Sequence, residues 1–214
     1  MASVRITEIF YSLQGEARTV GLPTVFVRLT GCPLRCQYCD TTYSFSGGSL
    51  YEIGQILEEV AQWGTPHVTV TGGEPLAQPV CIELLQALCD AGYQVSLETS
   101  GAMPIGDVDS RVSVVLDLKT PDSGECHRNL YENLALLKAK DQVKFVICSR
   151  SDYDWSRFKT DEYRLLERAG EVLFSPSHGQ QPATELAEWI LADRLNVRFQ
   201  IQLHKMLWAD EPGR

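Results

Sequence analysis

Three cysteines, Cys32, Cys36 and Cys39, fall within eight positions of the stretch GCPLRCQYCD (31–40), and the stretch supplies no fourth. Thiolates at such spacing are metal ligands before they are anything else. A structural zinc site closes with four ligands, often as two separated pairs, so a triplet would have to borrow His67, His127, His178 or His204. A disulfide with one spare thiol is the poorer reading in a reducing compartment. A four-iron cluster is the third reading: three thiolates hold three irons, and the fourth iron stays open to a small molecule. Cys81 and Cys89 lie in an apolar helical run and Cys148 ends the strand KFVIC, so buried packing is expected for them. Cys126 stays unassigned.

The elements that must position these residues alternate between short β-rich runs and longer stretches of helical periodicity. Strands are expected over 5–11, 24–29, 67–70, 94–97, 112–116, 142–147, 172–174 and 197–202. Helices are expected over 49–63, 79–91, 130–138, 152–169 and 183–193. In the first of these, Leu50, Ile53, Ile56, Leu57 and Val60 share a face, and Ser49 and Glu52 have capping-box spacing. Repeated strand-helix-strand order implies a mainly parallel sheet covered by crossover helices. A complete eight-fold barrel needs about 250 residues, so 214 suggest a shortened or open TIM-like (β/α) barrel, built as one domain over 1–214. Chemistry in such folds gathers at the carboxyl edge of the strands. The cysteine stretch, TGGEP (71–75), ETSG (98–101), DLKTP (117–121) and SPSHG (175–179) each follow a predicted strand on that edge.

A formal net charge of −9 argues against a broad grip on nucleic acid, which needs clustered Lys and Arg. The opening MASVRITE is no export signal, and no apolar run approaches the roughly 18 residues of a membrane helix. A cytoplasmic protein with mostly reduced thiols is expected, without nucleic-acid or membrane partners.

Cys-x3-Cys-x2-Cys after an early strand, with an aromatic, Tyr38, before the last cysteine, resembles the cluster loop of radical S-adenosylmethionine (SAM) enzymes. Gly72, Gly73 and Glu74 match that superfamily's GGE motif one strand-helix unit later. The resemblance narrows to the 7-carboxy-7-deazaguanine synthase family and extends over nearly the whole chain, from IFYSLQGE to the final HK. It implies a [4Fe-4S] cluster on Cys32, Cys36 and Cys39, SAM chelated by the open iron, and one-electron cleavage of SAM to a 5'-deoxyadenosyl radical. That radical would take hydrogen from C6 of 6-carboxy-5,6,7,8-tetrahydropterin and regenerate SAM as the ring contracts. The product is 7-carboxy-7-deazaguanine, formed with loss of ammonia on the way to the tRNA base queuosine. No catalytic side chain is implied, since the radical is generated on SAM.

The site residues carry over by position. The resemblance places Leu13, Gln14, Gly15, Glu16, Arg28 and Thr99 on the pterin, Arg28 meeting the ligand's carboxylate. It places Tyr38, Gly72, Gly73, Glu74, Gly101, Asp117, Leu118 and Lys119 on SAM, with Ser175, Pro176, Ser177 and His178 as a later segment. Asp117 and Leu118 depart from the Ser-Pro common in related enzymes, which leaves Lys119 the safer transfer. Thr41 would ligate a Mg2+ that also binds the substrate carboxylate. His204 and Lys205 would pack the tail or close over substrate. A flavodoxin-like electron donor and a homodimer are the implied partners. The rival readings are an activating enzyme for a glycyl-radical partner, which shares the cysteine spacing, and a non-catalytic zinc module.

Overall fold

Seven strands run parallel in one open sheet, and two more extend it on one side in antiparallel fashion. The structure is a computed structural model that describes residues 2–209, 211 and 213. In chain order the strands are β1 (Ser3–Leu13), β2 (Pro23–Leu29), β3 (Ser49–Glu52), β4 (His67–Gly72), β5 (Gln94–Thr99), β6 (Ser113–Asp117), β7 (Gln142–Ile147), β8 (Glu171–Pro176) and β9 (Arg198–Phe199). The helices are α1 (Ile53–Ala61), α2 (Cys81–Asp90), α3 (Arg150–Glu162), α4 (Leu165–Arg168), α5 (Ala183–Asp193) and α6 (Leu203–Trp208). The sheet order is β3-β1-β2-β4-β5-β6-β7-β8-β9, and its two ends do not pair. The result is the incomplete TIM-like barrel that the element order predicts. No described helix is long and apolar enough to cross a membrane.

Side-chain alternation along the strands separates core from lumen. On β4, Val68 and Val70 are buried in the hydrophobic core with Leu84, Leu85 and Leu88 of α2. On β5, Val95 and Leu97 belong to the same core. The intervening residues, Thr69, Thr71, Ser96 and Glu98, are polar and hydrogen-bond to one another or to Gln14. Strands buried on both faces normally read as continuous apolar runs, so this alternation marks a lumen built to hold something polar.

Four sequence expectations change. The run 49–63 is not one helix: Ser49–Glu52 forms strand β3 against β1, with Ser3 opposite Glu52 and Ile6 opposite Ser49. Gly47 and Gly48 both have positive φ, and a Cβ on Gly48 would come within 2.5 Å of the Ile6 carbonyl, so the chain turns here onto the open edge of β1. Leu50 is consequently 61% exposed rather than on a core face. The capping box belongs to Glu52 and Gln55.

The run 152–169 breaks at Arg164, which adopts the left-handed conformation (φ 51°) and separates α3 from α4. The run 130–138 is a 3-10 helix over Tyr131–Leu136. There Asn133 accepts from Ile105 N and donates to Gly101 and Met103 carbonyls, which ties the segment to the neighbouring loop. The last strand is two residues long, Arg198–Phe199; past it Gln200 N still donates to Phe174 O (3.0 Å), and the Gln200 side chain accepts from Ala17 N and donates to Ala17 O. The chain then enters α6, on which His204 and Lys205 lie.

Candidate active site

The carboxyl edge of the parallel strands opens into a cavity of about 420 Å³. Cys32, Cys36 and Cys39 line it, on the loop after β2. Backbone bonds hold this loop: Gly31 N donates to Ser44 O (2.8 Å), Glu74 N to Gly31 O (2.8 Å) and Gln37 N to Ser123 O (3.0 Å). Gly73 N donates to Leu29 O, and a Cβ on Gly73 would stand 2.3 Å from the Gly31 carbonyl oxygen. The GGE glycines therefore let the β4 loop close against the base of the cysteine loop. Arg35 steadies the rim, its backbone N–H donating to Glu125 Oε1 (2.6 Å) and its guanidinium lying 4.2 Å from the Phe45 ring centroid.

Burial pushes the Cys36 thiol up to about 11 and raises Cys32 as well. All seven cysteines are free. Cys81 and Cys89 are buried as expected, whereas Cys148 is only half-buried, its backbone N–H held by Asp152. Among the described residues no three His, Cys, Asp or Glu side chains gather around one metal point, and the three thiols share the cavity lining. Three separate thiolates fit a cluster of several irons, each taking one sulfur.

Opposite the cysteines the lumen is charged. Lys144 of β7 donates to Glu16 Oε2 and lies 4.0 Å from Asp117 Oδ2. Asp117 pairs with Lys119 at 3.1 Å, and Lys119 Nζ sits 5.7 Å from the Tyr38 ring centroid. Burial alone would raise Glu16 and lower both lysines; the pairing outweighs it, so Glu16 titrates below its usual range and Lys119 and Lys144 above theirs. Within this network Glu16 Oε1, Asp117 Oδ1 and the Tyr38 hydroxyl are buried without a described partner. Buried polar atoms left so are expensive, and all three belong to residues lining the cavity, where a polar ligand can satisfy them.

Several predicted site residues are engaged by the protein itself. Gln14 is 3% exposed and its amide is committed within the protein: Nε2 donates to Thr69 Oγ1 (3.1 Å) and Glu98 Oε1 (3.2 Å), while Oε1 accepts from Glu16 N. Arg28, expected to meet a ligand carboxylate, meets a protein one. Its Nε donates to Glu8 Oε1 at 2.7 Å, and that oxygen also accepts from the Tyr43 hydroxyl. A guanidinium has five donors, so pairing through Nε leaves its outer nitrogens for the cavity that Arg28 lines. Glu74 is fully buried away from the cavity. Its carboxylate accepts from Leu76 N, Thr99 Oγ1, Ser100 N and Ser100 Oγ, so it braces the ETSG loop. Leu118 packs in the core, and Gly101, Ser175 and Pro176 also lie outside the cavity lining.

Leu13, Gly15, Thr41, Gly72, Gly73, Thr99, Ser177, His178, His204 and Lys205 do line it. Thr41 Oγ1 donates to Asp40 Oδ1 (2.7 Å), and Asp40 Oδ2 faces Lys205 Nζ at 3.8 Å. Leu203 N donates to Gly15 O, which lays α6 across the SLQGE loop. Sequence reasoning passed over Glu98, Lys144, Asp40 and Thr71, all of which line the cavity. The period-two polar pattern of HVTVTG and QVSLET was the available signal for Thr71 and Glu98.

The Radical SAM superfamily model matches residues 26–128, the span that carries the cysteine loop, GGE and ETSG. The 7-carboxy-7-deazaguanine synthase of Chlorobaculum tepidum is 43% identical over 210 residues, covering 97% of this chain and 95% of that protein. The chain belongs to the 7-carboxy-7-deazaguanine synthase family. Another member of that family, from Koribacter versatilis, is 40% identical over 97% of this chain and 98% of its own length. The crystal structure of QueE from Escherichia coli superposes with a TM-score of 0.74 at 22% identity, covering 94% of this chain and 95% of that one, which bears on the fold alone. As radical SAM proteins, 7-carboxy-7-deazaguanine synthases use a [4Fe-4S] cluster and SAM. The three-thiol rim and the charged lumen are where this member would hold them.

Proposed function

We propose that the chain converts 6-carboxy-5,6,7,8-tetrahydropterin to 7-carboxy-7-deazaguanine with release of ammonia, a step toward queuosine and so toward tRNA modification. The observation that carries this reading is one cavity lined both by the three thiols and by a wall of buried, partly unsatisfied polar groups. Cys32, Cys36 and Cys39 would hold the cluster. When bound there, the cluster and SAM supply one-electron chemistry directed at C6 of the pterin.

The protein's own contribution is placement. Tyr38, Lys119 and Asp117 form one wall, with a phenol, an ammonium and a free carboxylate oxygen for the polar groups of SAM. Glu16, held as a carboxylate by Lys144, offers Oε1 to an N–H of the pterin. Arg28, fixed through Nε by Glu8, presents its outer nitrogens to the substrate carboxylate. Thr41, with Asp40 beside it, supplies hard oxygen for a Mg2+ that shares that carboxylate. His204 and Lys205 on α6 close the lumen from the tail side and exclude water. A flavodoxin-like electron donor would supply the reducing electron. The unpaired edge strands β3 and β9 are compatible with a homodimer.

Anaerobic reconstitution tests the metal site. About four iron and four sulfide per chain, with an electron paramagnetic resonance signal that shifts on adding SAM, is the expected result. One zinc and no iron per chain in an undamaged preparation overturns it. Turnover of the pterin without any partner protein separates this reading from an activating enzyme for a glycyl-radical partner.

A further inference from the structure

The loop that carries Glu16 turns on a strained residue. Ala17 is 2% exposed and has φ 61°, in the left-handed region that a Cβ disfavours. The other described non-glycine residues of positive φ, Arg164, Arg194 and Ala209, stand at helix ends, where that conformation is ordinary. Ala17 stands at none. What holds it there is glutamine. Three successive amides of the loop each donate to a glutamine side-chain oxygen from a different part of the chain: Glu16 N to Gln14 (3.2 Å), Ala17 N to Gln200 (2.7 Å) and Arg18 N to Gln142 (2.7 Å). All three glutamines are buried. Gln200 grips Ala17 from both sides, since its Nε2 also donates to Ala17 O (2.9 Å). It is anchored in turn, its own N–H donating to Phe174 O of β8.

A backbone strained in this way persists only where its surroundings over-determine it, and such residues gather where a neighbouring group has to be aimed. The neighbour here is Glu16, whose Oε2 is held by Lys144 and whose Oε1 is buried in the cavity wall without a described partner. Relaxation of Ala17 to negative φ would swing Glu16 relative to the Arg18 amide that Gln142 fixes. We infer that Gln200 is a positioning residue for the substrate site: by clasping Ala17 in the left-handed conformation it keeps Glu16 Oε1 aimed at an N–H of the pterin. Gln200 and Ala17 both lie outside the cavity lining, so the effect passes through Glu16. This rests on the pterin reading above and adds to it a device on the far side of the loop. Glycine at position 17 would adopt the same φ without help, which supplies the test.

The experiment compares the wild type, Gln200→Met and the double variant Gln200→Met with Ala17→Gly, each as anaerobically reconstituted holoenzyme. Methionine keeps the length of the side chain and makes neither bond. Gln200→Met should raise KM for 6-carboxy-5,6,7,8-tetrahydropterin by about tenfold, the order that separates alanine from glycine in the left-handed region, with iron content and SAM affinity as in the wild type. The double variant should return KM to within about threefold of the wild type. An unchanged KM in Gln200→Met, a raised KM that glycine does not lower, or equal losses for pterin and SAM overturns the role of Gln200. Amide hydrogen exchange, which needs no substrate, keeps the two readings apart. The amides of 16–18 should exchange at least about tenfold faster in Gln200→Met, and unchanged protection there overturns the clasp. Wild-type protein that binds SAM and yet leaves the pterin unconverted overturns the pterin reading instead.

Discussion

Lys144 of β7 donates to Glu16 Oε2 across 128 positions of sequence, and the other oxygen of that carboxylate is buried with no described partner. One half of Glu16 therefore belongs to the fold, and the other half is left for a ligand. Lys144→Met removes the cation and strands a buried carboxylate, which costs about 3–5 kcal/mol. The double variant Glu16→Gln with Lys144→Met should recover most of that loss in chemical denaturation. The sign with pH follows from the two groups. Glu16 sits below its usual value of 4.5, so the pair's contribution is lost as pH falls through the lowered value. Lys144 sits above its usual 10.5, so the contribution is lost as pH rises through the raised one. Between these limits the deficit of Lys144→Met should be constant.

Glu98 behaves in the opposite sense. Burial, with Glu16 adding repulsion, raises its carboxyl above the usual 4.5 despite Lys144, Thr71 and Arg28. Its charge therefore opposes folding above that value and is neutral to it below. Glu98→Gln should raise the melting temperature at pH 7 by a few degrees, since about 1 kcal/mol shifts a chain of this size by about 2–4 °C. The gain should disappear below about pH 4.5. A carboxylate kept in the cavity lining at a cost to the fold is kept for function.

The fold was legible where periodicity was clean. The strict alternation of HVTVTG and QVSLET marked β4 and β5, and the turn residues after each strand marked the functional edge. Ser49–Glu52 was misread because SLYE satisfies a helical pattern; what decides is the open edge of β1, a partner 49 positions away across the Ser3–Glu52 pair that no local window contains. Gln14 and Glu74 were legible as members of the right loops, but their partners within the protein were not. Whether a side chain faces a ligand or a neighbouring strand depends on packing between distant segments, here Thr69, Thr99 and Ser100.

Glu74 gives a prediction from that packing. Its carboxylate takes the Ser100 amide at 2.7 Å together with two hydroxyls, so Glu74→Gln replaces an acceptor oxygen with a donor facing them. A loss of about 1–3 kcal/mol is expected. Hydrogen exchange should show the Ser100 amide exchanging faster, with the amides of β7 unchanged.

Arg28 pairs with Glu8 through Nε, which a lysine can replace in charge but not in shape. Arg28→Lys should raise KM for the pterin by about 10- to 100-fold and leave the affinity for SAM unchanged. Equal losses for both ligands would place Arg28 in support of the fold instead of on the substrate carboxylate.

The most direct measurement is anaerobic turnover of 6-carboxy-5,6,7,8-tetrahydropterin with SAM, Mg2+ and a chemical reductant, run in parallel on the wild-type chain and on Cys36→Ser, with products identified by mass. The predicted result is 7-carboxy-7-deazaguanine and ammonia from the iron-replete wild type and neither from the variant. An iron-replete wild type that yields no deazaguanine, or equal yields from the two proteins, contradicts it.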